Sequence, residues 1–212
     1  MSLYEASAGL LYIFSTAFLY PVIAGLLLLF AWSLAVIGSM INEYTSRRRV
    51  LSELEEASLK AAELIQEGRA KEAGVVLASY NSPWQVSTAL AEMGASLQTG
   101  IIRTKLEKIL QDAELRMSKA LEPVRIGTKV GPILGLMGTL IPMGPALIGL
   151  SQGDIKSMAD NLVIAFATTV IGLVVGGICY AALVVKSRWY RQDLSDLEYA
   201  VDLMGSRFNE TK

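Results

Sequence analysis

The chain has 212 residues, 52% of them hydrophobic, no histidine and a formal net charge of -1, and its mean hydropathy of +0.43 is that of an integral membrane protein rather than a soluble domain. The near-zero charge gives nucleic-acid binding no electrostatic footing, and the lack of histidine removes the commonest metal ligand and general base. Nothing else supplies a nucleophile–base pair, a phosphate-cradling loop or a metal-ligand cluster, so no catalytic residue, resident metal or cofactor is assigned and the chain is not read as an enzyme.

The expected fold class is an all-α membrane protein with three transmembrane helices, two of them extended into a cytoplasmic helical bundle. Residues 1–20 carry Tyr4, Tyr12, Phe14, Phe18 and Tyr20 and read as an aromatic segment in the membrane interface. No Lys or Arg precedes Arg47, so this is not a secretory signal, which needs a basic start. Pro21 is tolerated in a first helical turn and disfavoured in an interior, which places transmembrane helix 1 at 21–41.

The water-exposed region, 42–128, holds 12 basic and 12 acidic residues and is neutral overall. Its stretch SELEEASLKAAELIQEGRAKEA has Ser52 and Glu55 in capping-box spacing, with Leu54, Ala57, Ala61, Leu64 and Ile65 at helical intervals. Gly68 and the NSPW run at Asn81 to Trp84 interrupt it, predicting short helices joined by turns. From Glu92 the helical pattern continues toward the second span, with Pro123 marking a kink at most.

Transmembrane helix 2 is expected at 129–152, an outer loop at 153–160, helix 3 at 161–185 and a cytoplasmic helical tail at 186–212. Basic residues flank one side of each span: Arg47, Arg48 and Arg49; Arg125 and Lys129; Lys186, Arg188 and Arg191. By the positive-inside rule the N-terminus lies outside and the C-terminus inside the cytoplasmic (inner) membrane. Cys179 is the sole cysteine, so no intramolecular disulfide forms.

The second span contains five glycines and three prolines between Gly131 and Leu150. At 100° per residue Gly131, Gly135, Gly138, Pro142, Pro145 and Gly149 fall on one narrow stripe, a face for small-residue packing against neighbouring helices or a partner. The third span repeats the device with Asn161, Ala165, Thr168, Thr169, Gly172, Gly176 and Cys179 on one face. Any single threonine in lipid more often bonds its own helix. Thr139, Thr168 and Thr169 together, on two small-residue faces, point to a polar lining.

GPILGLMGTL, and after a short loop NLVIAFATTVIGLVVGG, resemble the paired signature of the MotA/TolQ/ExbB proton-channel family. The resemblance implies a homo-oligomer, a pentamer, around a dimeric single-span partner of the TolR/ExbD/MotB kind whose membrane aspartate carries the ion. It also implies that Thr139, in the GT step, and Thr169, in the TT step, line the ion path. ExbB and TolQ members carry a glutamate five residues before that second threonine, where this chain has Ile164. The function expected is a channel or stator subunit of an ion-driven motor. H+ is favoured on family frequency, and Na+ is kept in play because hard cations take oxygen ligands such as Thr139, Thr168 and Thr169. The alternative is a non-conducting oligomeric scaffold or assembly protein that uses the glycine faces only to associate. A solute transporter is disfavoured, because a lone three-span chain lacks internal repeats and an intramembrane binding charge.

Overall fold

The structure is a computed structural model describing residues 10, 12–14, 16–47, 51–79, 84–97 and 102–209. These residues form helices joined by turns, with no strand among them. In chain order the helices are α1 (Leu19–Ser46), α2 (Leu51–Gln66), α3 (Ala70–Ala78), α4 (Trp84–Leu97), α5 (Ile102–Ser151) and α6 (Ile155–Asn209). Three are long and apolar enough to cross a membrane, lying within α1 with its upstream residues, α5 and α6. The protein is an integral membrane protein of the all-α class.

Helices extend beyond the apolar runs that mark them in the sequence. Residues 12–14, 16 and 17, ahead of α1, are helical too, and Thr16 donates its hydroxyl to the Tyr12 carbonyl at 2.9 Å. The described part of the aromatic segment is therefore helix apart from a turn at Phe18, and Pro21 sits in the first turn of α1. Ser52 falls inside α2 rather than ahead of it. Residues 155–160, expected as outer loop, are the first turns of α6.

The α5–α6 turn shows why so few residues are needed. Gly153 has φ +75°, a left-handed conformation that favours glycine. Around it Gly153 N–H donates to the Leu150 carbonyl at 3.1 Å and Asp154 N–H to the Gly149 carbonyl at 2.8 Å, the two bonds of a Schellman ending. Asp154 then caps α6, its carboxylate accepting from Ser157 N–H at 3.0 Å. The α2–α3 turn repeats the ending at Gly68, φ +77°, with Arg69 N–H on the Leu64 carbonyl at 2.8 Å.

The chain divides into two compact units. The first, Met1–Met40 with Pro123–Val184, takes in the uncharged segments. Its core joins Val36 of α1, Val124 of α5 and Val175, Cys179 and Ala182 of α6, with Trp32, Phe30 and Ile171 packed against them. The second, Ile41–Glu122 with Val185–Lys212, has an ordinary side-chain core that includes Leu54, Leu77, Leu90, Met93, Leu197 and Met204, all buried.

Candidate ion-pathway site

The small-residue stripe of α5 is occupied by α6 of the same chain. A methyl placed on Gly131 would lie 2.9 Å from Val175 Cγ1 and 3.0 Å from the Gly172 carbonyl oxygen; on Gly135 it would lie 3.2 Å from Gly172 Cα and from the Thr168 carbonyl oxygen. From the other side, a methyl on Gly172 would come within 2.7 Å of both the Gly131 carbonyl oxygen and Gly135 Cα. Backbone therefore meets backbone, and no residue larger than glycine fits without a shift of the helices.

The prolines belong to the same contact. A methyl on Gly176 would lie 2.7 Å from Pro132 Cγ, and 3.6 Å from the Thr128 carbonyl oxygen, the group whose helical N–H donor Pro132 removes. Pro142 is fully buried and Ala165 is 3% exposed. The hairpin closes at Gly149, where a methyl would lie 3.2 Å from the Asp154 carbonyl oxygen. The stripe packs within the chain, and what remains for other chains or lipid is the opposite surface, with Leu136, Leu140 and Leu147 of α5 and Phe166, Val170 and Leu173 of α6 exposed.

The polar side chains fall into this frame at different depths. Thr168 is 5% exposed and stands over Gly138, where an added methyl would lie 2.6 Å from its Cβ and Oγ1. Its hydroxyl donates to the carbonyls of Ala165 at 2.9 Å and Ile164 at 3.1 Å. Thr169 and Thr139 are half-buried, with hydroxyls directed to Ala165 O at 3.3 Å and Leu136 O at 2.7 Å. Asn161, half-buried near the start of α6, donates its amide to the Ser157 carbonyl at 2.8 Å. Each threonine spends its proton on its own helix and keeps an oxygen lone pair as acceptor. Ile164 is 38% exposed on α6.

Charge enters only beyond the apolar segments. Lys186 pairs with Glu43 at 2.9 Å, and Arg47 pairs with Asp193, whose side chain is only 3% exposed. Arg47 also donates to the Trp189 carbonyl at 3.1 Å and lies over the Trp189 ring at 5.2 Å, while Tyr44 stacks on that ring at 6.2 Å. Burial pushes the Asp193 carboxyl above the usual range, and the Arg47 guanidinium pulls it back in part. Glu43 Oε1, Arg47 Nη1 and Asp193 Oδ2 are buried without a hydrogen-bond partner. In the sequence Arg47 and Lys186 serve only to orient the spans, and Asp193 has no assigned role. The signal was present: Asp193 lies three residues after Tyr190 and four before Leu197, on the buried face of the tail.

Among the described residues no group of three His, Cys, Asp or Glu side chains is arranged to hold a metal ion. A family model, the MotA/TolQ/ExbB proton channel family, matches residues 84–198, more than half of the chain, including all of α5 and α6 as far as Glu198. A search of curated proteins finds no match.

Proposed function

The chain belongs to the MotA/TolQ/ExbB proton channel family, and from that premise we propose that it is a ring-forming channel or stator subunit of an ion-driven membrane motor. In this reading five copies surround a dimer of a single-span TolR/ExbD/MotB-like partner in the cytoplasmic membrane, N-termini outside and C-termini inside. The partner's aspartate carries the ion, and the complex passes ion motive force to an outer target. H+ is the favoured ion. Na+ is the other that the oxygens of Thr139, Thr168 and Thr169 would accept.

One observation carries the proposal: no charged residue lies between Val130 and Ser151 of α5 or between Asn161 and Val185 of α6. A charge inside a span is costly and, where present, functional. A channel subunit without one must meet the ion's carrier on another chain. The threonine hydroxyls support such a meeting, since their free lone pairs can accept from a protonated carboxyl or from water.

The test is purification of the tagged chain with its associated proteins, followed by reconstitution under a pure proton or a pure sodium gradient. A copurifying single-span protein with a membrane aspartate, and flux under one gradient, is the expected result. Thr139→Val and Thr169→Val should each lower ion-driven activity about tenfold, one hydrogen bond's contribution to a barrier, while leaving the complex assembled. A pure homo-oligomer that passes neither ion would make the chain a scaffold.

A further inference from the structure

The charges beside Trp189 are unevenly matched. Lys186 and Arg47 have carboxylate partners, whereas Arg188 and Arg191 are exposed and no ion pair engages either among the described residues. Arg191 donates its Nε–H to the Ser187 carbonyl at 3.3 Å, and among the described residues no ion pair takes up its terminal nitrogens. These two arginines, three positions apart on α6, line an open cleft of about 670 Å³ together with Trp189 and Gln192. Its donors, two guanidinium forks and an amide, suit the oxygens of a phosphate.

The place of the cleft along α6 says where such a phosphate would come from. The uncharged run ends at Val185, so at about 1.5 Å per residue Arg188 and Arg191 stand roughly 4.5 and 9 Å farther along the helix. The polar headgroup layer is about 5–7 Å deep on each side of the hydrocarbon. Arg188 falls inside that layer, and Arg191 reaches back into it through its flexible stem. Trp189 between them occupies the depth at which aromatic rings collect in membrane proteins.

We propose that the cleft formed by Arg188, Trp189, Arg191 and Gln192 binds the phosphodiester headgroup of an anionic phospholipid. The bilayer then supplies the counter-charge that no ion pair among the described residues gives these two arginines. Arg47 on Trp189 and Tyr44 against it hold one wall of the cleft in place.

The test titrates the detergent-solubilised full chain, or its complex, with short-chain phosphatidylglycerol, phosphatidylcholine and inorganic phosphate. Retained lipid is counted by native mass spectrometry, and the melting temperature is followed in parallel. The wild type should prefer phosphatidylglycerol over phosphatidylcholine by about tenfold or more. R188Q/R191Q should reduce that preference to about twofold with its lipid-free melting temperature unchanged. Each single variant, Arg188→Gln or Arg191→Gln, should fall between, so a double variant that folds poorly leaves the proposal testable. Equal binding of the two lipids, or a preference that survives R188Q/R191Q, overturns the site. Inorganic phosphate that displaces the lipid at micromolar concentration makes it a free-anion site and overturns the assignment to lipid. A variant that changes only the oligomer mass assigns the arginines to a neighbouring chain's carboxylates and also overturns it.

Discussion

The two halves of α5 use one helical period for opposite kinds of packing. Over 105–122 the buried positions are Leu106, Ile109, Ala113, Met117 and Leu121; over 123–151 they include Gly131, Gly135, Gly138 and Pro142. In water, burying a large apolar side chain contributes about 1.5–3 kcal/mol. In lipid that drive is absent, because the tails are as apolar as leucine, and association rests on close van der Waals approach of backbones. The same helix is therefore held by what its side chains add in one half and by their absence in the other. The small-residue device is not confined to the apolar half: a methyl on Gly74 of α3 would lie 2.8 Å from the Gly94 carbonyl oxygen of α4.

The largest expected effect breaks the charged side of the comparison. Arg47→Met leaves Asp193 buried without its counter-charge and should lower stability in detergent by about 3–5 kcal/mol, whereas Arg47→Met/Asp193→Leu should recover most of the loss. The pH dependence has a definite sign. The folded carboxyl already titrates above its ordinary value through burial, with Asp196 and Glu43 adding to the upward push. The folded state thus binds the proton more tightly than the unfolded chain. Stability falls as pH rises through Asp193's raised value, and is regained as pH falls toward the ordinary carboxylate range. Arg47→Met should steepen this dependence and the double variant should remove it. Equal melting curves for wild type and Arg47→Met at neutral pH would show that the pair does not hold the unit.

Next in size is the glycine contact. Gly172→Ala puts a methyl against two backbone atoms of α5 and should cost about 1–3 kcal/mol by forcing the hairpin apart. Gly177, five residues on, has nothing within 4 Å of an added methyl. Gly177→Ala should instead be neutral or stabilise by up to about 1 kcal/mol through helix propensity. Thermal unfolding of both variants in one detergent checks the contrast. A destabilised Gly177→Ala would place another helix or chain on that exposed face.

How much of this was legible in the sequence differs between the two kinds of packing. The alignment of Gly131, Gly135, Gly138 and Pro142 follows from spacing alone, and so did an all-helical chain with three apolar spans. What spacing could not supply is the occupant of the stripe, because a small-residue face has no complementary pattern that names its neighbour. Helix ends were also misjudged wherever hydropathy stood in for hydrogen bonding. Lys156 and Asp160 end the apolar run without ending the helix, since Asp154 caps α6 ahead of them. The Arg47–Asp193 pair was hidden for another reason: charges 146 positions apart carry no local signal, and only Asp193's place on an apolar face hinted at burial.

The smallest expected change in stability is also the one that separates packing from conduction. Thr168 is enclosed by the hairpin, yet its hydroxyl bonds only to carbonyls of α6, which helical N–H groups also engage. Thr168→Val keeps the branched shape and loses one donor whose net contribution is about 0.5–1.5 kcal/mol, so the unfolding temperature should hardly move. The overlap at Gly138 is of a different order. It involves Thr168 Cβ, at 2.6 Å from the added methyl, an atom every residue but glycine possesses, so Gly138→Ala stays destabilising in a Thr168→Val background. If the hydroxyl's lone pair serves the ion, Thr168→Val lowers flux through the reconstituted complex while the melting curve and oligomer mass stay as in wild type. If the threonine only packs, flux and melting stay unchanged together, and the polar lining reduces to the half-buried hydroxyls of Thr139 and Thr169.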